Sequence, residues 1–225
     1  MANICKITKY VHSPDRSIEW YEYMMAYVKA STCLAEELKR LEDEVSSRAS
    51  EFLIPLLFNV RHCIELLLKL FSYGTPEHPR NTHDISSIFK NYKANFEKLD
   101  KPQIPMIAKY FHVSETVIEN YLKGSTIRLE EITTKYYGFA FLVDGDFLIE
   151  DAKNEMFRYP VNFDTDFKLD IENLHSKICS DEILDDLKFL FNSALLFLYT
   201  FGVSTEGEPF TKTLRDWANQ DNKKH

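Results

Sequence analysis

The chain has 225 residues, 44% of them hydrophobic and 14% aromatic, which excludes disorder from low hydrophobicity and provides for one elaborated domain or two small ones. Six glycines and eight prolines rule out collagen-like or linker-dominated sequence. With 27 basic against 35 acidic residues the formal charge is -8, which argues against a surface that is basic throughout and leaves at most a local basic cleft for nucleic acid.

The predicted elements begin at Ser13-Pro14, where a hydroxyl cap precedes a residue that needs no amide partner in the first turn. Ile18, Tyr21, Met25, Val28, Thr32, Ala35 and Leu38 then recur at three- and four-residue spacing, giving a long amphipathic helix toward Val45. A second helix is expected from about Glu51, with Pro55 in its first turn, to Tyr73, where Gly74 and Pro76 stop it. Leu53, Leu57, Val60, Ile64 and Leu66 to Leu68 leave this helix apolar over most of its circumference, so it belongs at the centre of the core. Thr82 is the expected cap of a third helix, with Ile85, Ile88, Phe89, Tyr92, Phe96 and Leu99 on one stripe.

The middle of the chain is less regular. Residues 105–111 and 114–122 read as two short helices ending at Gly124, and Asp144-Gly145-Asp146 sits between two apolar runs either as the turn of a small β-hairpin or within a short helix and loop. Asp170 caps a predicted helix to Ile178. Ser180 or Asp181 starts the last one, with Ile183, Leu187, Leu190, Phe191, Leu195 and Leu198 inward and Gly202 as its stop. The expected organisation is therefore an N-terminal segment 1–12, a bundle built from 13–99 and 161–202, an insertion 100–160 and a polar tail 203–225.

Cys5, Cys33, Cys63 and Cys179 stand singly, without the close pairs of zinc ribbons or redox motifs, and a reducing, cytoplasmic setting is expected. Met1 to Tyr10 holds no apolar run of secretory length. The most apolar stretch, Phe189 to Phe201, falls short of the roughly 20 residues that cross a bilayer, so no membrane association is expected.

Arg61, Glu65 and Lys69 lie at i, i+4 and i+8 and form one polar stripe on the central apolar helix. Charges there need partners, because an uncompensated buried charge costs several kcal/mol, and Arg61 and Glu65 are expected to pair. His62 lies one residue around from this stripe and could serve acid-base chemistry beside a carboxylate. The segment Phe58 to Lys69, with Arg61-His62-Cys63-Ile64-Glu65-Leu66, the block Thr82-His83-Asp84-Ile85, and Phe157-Arg158-Tyr159-Pro160 together resemble bacterial helical proteins of the HEPN-like group.

That resemblance implies an all-α, HEPN-like helical bundle of a phage-defence or toxin-antitoxin kind, partnered by RNA, a nucleotide or another protein, with a homodimer compatible with the group. Arg61, His62 and Glu65 could form an unconventional catalytic set, with Lys69, His83, Arg158 and Tyr159 as ligand-binding residues. Active members are metal-independent endoribonucleases with histidine following arginine after four to six residues. None of the arginines here has a histidine so placed, so the usual ribonuclease site is not expected.

Residues 107–122 carry a second pattern, a helix-turn-helix with Ala108 at the helix contact, His112 at the turn and Ser114 as cap, which would make the chain a DNA-binding regulator. Glu115 and Glu119 oppose that reading, since phosphate contacts would fall to Lys109 and Lys123. A non-catalytic interaction scaffold is the third reading. His78, His83 and Asp84 lack metal-ligand spacing, and no metal or cofactor is expected.

Overall fold

Burial follows the three- and four-residue spacing of the apolar residues. In helix α1 (Ser17–Asp43), Tyr21, Met24, Met25, Val28, Ala35, Leu38 and Leu41 are buried and form one stripe. Helix α2 (Ala49–Phe71) is buried on nearly every side through its second half, where Ile64 to Leu70 are all buried. The computed structural model describes residues 17–44, 48–71, 82–99, 104–138, 161–162, 167–168 and 179–200.

The expected position of Pro55 is corrected by the structure. Helix α2 begins at Ala49, which puts Pro55 in the second turn. Its ring removes the amide that would reach the Glu51 carbonyl, but both residues lie on the exposed side, where solvent can take the freed oxygen. Helix α3 (Ile85–Leu99) buries Ile85, Ile88, Phe89 and Tyr92 as expected, although its cap is Asp84 and not Thr82. The Asp84 carboxylate accepts from the Ser86 amide at 3.0 Å and from Ser87 Oγ at 2.6 Å, and the Thr82 hydroxyl accepts from the Asp84 amide at 3.1 Å.

Helix α4 (Ile104–Phe111) ends in a Schellman motif. The Val113 amide donates to the Ala108 carbonyl at 3.0 Å and the His112 amide to Lys109 at 3.4 Å, while His112 itself adopts φ 55°. Ser114 then caps helix α5 (Glu115–Gly138), its Oγ accepting from the Val117 amide at 3.3 Å. The stop expected at Gly124 is absent. The apolar stripe Ile118, Tyr121, Leu122, Leu129, Ile132, Tyr136 continues in register through it, and tertiary burial outweighs the ~1 kcal/mol that glycine costs a helix interior.

A two-residue antiparallel pair, β1 (Val161–Asn162) with β2 (Phe167–Lys168), pairs Val161 with Lys168 and Asn162 with Phe167. The hairpin expected at Asp144-Gly145-Asp146 lies outside the described residues, as do the Ser13-Pro14 start, the Asp170 to Ile178 helix and the Gly202 stop. Helix α6 (Ser180–Thr200) starts where expected and buries Ile183, Leu187, Leu190, Ala194 and Leu195, with Phe191 partly buried.

Apart from that two-residue pair, the described elements make a helical fold around α2. Helix α1 packs along α2 and α6, α2 also meets α3, α5 and α6, and α5 is covered by α3 and α4. At the far end of α1, Lys39 pairs with Asp181 and Ser180 Oγ donates to Glu42 Oε2 at 2.5 Å, tying the first described helix to the last. No helix among the described residues is long and apolar enough to cross a membrane.

Candidate functional site

The polar stripe of α2 is buried, as its apolar surroundings require. Arg61, Glu65 and Lys69 are 0%, 2% and 5% exposed. Glu65 Oε1 accepts from Lys69 Nζ at 2.7 Å and faces His83 Nδ1 at 3.0 Å, while His62 Nδ1 approaches Oε2 at 3.7 Å. Two of the three sequence blocks thus meet on one carboxylate. The short segment before α3 brings His83 back over α2, and its Asp84 cap fixes where that segment enters the helix.

The expected Arg61–Glu65 pair is corrected. Among the described residues the cation on Glu65 is Lys69, and the Arg61 guanidinium lies over the Tyr137 ring of α5, 5.7 Å from its centroid. Helix geometry gives the reason, because a glutamate four residues before a lysine is better oriented than an arginine four residues before a glutamate. Burial alone would raise the Glu65 carboxyl, but the approach of His62 and the Lys69 ammonium outweigh it and bring the group down to about 2. At neutral pH Glu65 is a fixed anion. A carboxyl so far below the working pH is a poor proton acceptor, so its role is to hold cations and imidazoles in place.

His62 stands in an aromatic surround on the seam between α1 and α2. Tyr27 meets its ring edge-on at 4.6 Å, Phe58 lies nearly parallel at 6.2 Å, and Tyr23 approaches at 6.3 Å. The two tyrosine hydroxyls are 3.3 Å apart. The His62 side chain keeps 17% of its surface and that of His83 keeps 54%, so both imidazoles reach solvent from a centre that is otherwise dry.

Of the residues expected at the site, Arg61, His62, Glu65, Lys69 and His83 are described, and Glu65 gathers Lys69, His83 and His62. Arg158 and Tyr159 lie outside the described residues. Sequence reasoning missed Tyr23 and Tyr27, whose i, i+4 spacing in α1 marks a shared face without saying what it meets.

It also missed a second polar centre. Asp186, fully buried on α6, accepts from Arg128 Nη2 at 2.6 Å, Lys135 Nζ at 2.9 Å and Tyr136 Oη at 3.1 Å, all from α5. Its signal was an aspartate set among the inward residues Ile183, Leu187 and Leu190. Burial first, then the Asp186 charge, hold the Tyr136 phenol well above its ordinary range.

In the 107–122 segment two helices meet at the left-handed His112, and Ile118, Tyr121 and Leu122 face the core while Glu115 and Glu119 are exposed. Cys63 is buried, which pushes its thiol up to about 12 and makes it inert. Among the described residues no group of three or more His, Cys, Asp or Glu side chains is placed to hold a metal ion. Compared with known proteins, the chain matches no family model, no curated protein and no solved structure.

Proposed function

We propose that the chain is a HEPN-like helical-bundle protein of a phage-defence or toxin-antitoxin kind that acts by binding RNA, a nucleotide or a partner protein, and not as a metal-independent ribonuclease. The observation that carries the reading is the meeting of His83 and His62 on Glu65. These residues come from two of the three blocks behind the resemblance, and their carboxylate is too acidic to take a proton at neutral pH. Among the candidate ligands, single-stranded RNA has the support of the exposed Tyr23 beside Tyr27, Phe58 and His62, since unstacked bases lie on aromatic and imidazole faces.

The test is fluorescence anisotropy with labelled single-stranded RNA, run beside a cleavage assay in chelator. Binding that weakens on Tyr23→Ala and on His62→Ala, with the RNA left intact, is the expected result. Cleavage that persists in chelator and disappears on His62→Ala would replace the binder with a ribonuclease.

A second reading, a DNA-binding regulator, has one favourable observation, the left-handed turn at His112 followed by the Ser114 cap. It requires salt-sensitive duplex binding that falls on charge reversal at Lys109 or Lys123, whereas the neighbouring Glu115 and Glu119 lead us to expect none.

A further inference from the structure

Helices α5 and α6 run antiparallel across a gap that long side chains bridge. At one end Lys135 reaches Glu182 at 2.9 Å and Arg128 reaches Asp186 at 2.6 Å. Beyond Arg128 the bridging stops and a cleft of about 390 Å³ opens, within the range of small-ligand sites. Each helix contributes residues at i, i+3, i+4 and i+7: Tyr121, Gly124, Ser125 and Arg128 from α5, facing Asp185, Lys188, Phe189 and Asn192 from α6.

Two features of this cleft leave it open to a ligand. Asn192 is 7% exposed as a residue and lines the cleft, and its carboxamide makes no hydrogen bond to another described residue. An amide that opens on a cleft with both its donor and its acceptor uncommitted can pair with a ligand there. Gly124 is the second. It sits in the middle of a regular helix, where a Cβ would meet nothing within 4 Å, so neither packing nor backbone conformation calls for glycine. What its missing side chain leaves is room on the cleft wall.

The remaining lining residues describe what would fill that room. Tyr121 and the partly buried Phe189 offer flat apolar surface from opposite helices. Arg128 is held by Asp186 and Glu131 and serves as a wall. Lys188 and Asp185 are exposed at the mouth, without an ion-pair partner among the described residues, and are suited to an anionic group and to hydroxyls.

We propose that this cleft binds a small planar heteroaromatic ring with adjacent hydrogen-bond donor and acceptor, read by the Asn192 carboxamide, and with an anionic substituent at Lys188. The inference does not rest on the site at Glu65, from which it shares no residue. Nucleoside monophosphates and pterin carboxylates both carry this chemistry.

Calorimetric titration of the full chain with guanosine and uridine 5′-monophosphates, the parent nucleosides, and pterin-6-carboxylate separates the two sources. One class is expected to bind. Lys188→Ala should weaken the anionic probe about tenfold and leave the uncharged parent unchanged. Gly124→Leu should abolish binding while raising the melting temperature, because leucine favours the helix and meets no neighbour. Asn192→Asp, nearly isosteric, should lose at least tenfold with its fold intact by circular dichroism. Failure of every probe to bind at millimolar concentration, or binding to Gly124→Leu equal to that of the parent chain, would overturn the proposal.

Discussion

Glu65 shows how one carboxylate can organise a buried centre. Its carboxyl is held at about 2 against an ordinary 4.5, so the stability it contributes is complete above the ordinary value and is lost as pH falls from about 4.5 toward about 2. Denaturant melts between pH 6 and pH 2.5 should therefore show a steeper loss for the parent chain than for Glu65→Gln. Parallel profiles would mean that Glu65 is not held ionised. At neutral pH the same substitution leaves the Lys69 ammonium buried without its counter-charge, and a loss of about 3 to 5 kcal/mol is expected. His112 is the opposite kind of residue, one whose backbone conformation favours another side chain. With φ at 55°, His112→Gly should stabilise the chain by about 0.5 to 1 kcal/mol in the same melts, because the Schellman hydrogen bonds do not use the imidazole.

Between elements, the Asp186 centre joins α5 to α6, where the backbones themselves hardly approach. Asp186→Asn removes the buried anion from Arg128, Lys135 and Tyr136 together, and a loss of about 3 kcal/mol is expected in thermal or denaturant melts. Glu182→Gln, at an exposed partner of Lys135, should cost no more than about 1 kcal/mol. The helices themselves were legible because apolar residues at three- and four-residue spacing have one physical meaning, a single buried face, and Tyr21 to Leu38 in α1 read that way directly. Gly124 misled because a glycine stop depends on a left-handed residue at the helix end, and here the apolar stripe ran on past it. Asp84 took the capping role expected of Thr82 for a similar reason, since either side chain can cap and only the position of the first turn chooses. The site was legible as far as Arg61, Glu65 and Lys69 share a helix face and His83 stands just before the third helix. Tyr23 and Tyr27 were not, because a contact between α1 and α2 depends on how the helices are rotated against each other.

The assembled chain should give a far-ultraviolet circular dichroism spectrum dominated by helix, and a strand-dominated spectrum would contradict both the bundle and the reading drawn from it. The joining of α1 to α6 has a bearing on how the protein is made. The apolar face of α1 can meet α2 once residue 71 has been made, but the part that packs against α6 cannot meet it until Ser180–Thr200 has been synthesised. At roughly 5 to 20 residues per second that delay is on the order of 10 to 30 seconds. Through that interval this part of α1 lacks its partner helix, and a chaperone that shields apolar surface during translation should raise the yield of folded protein.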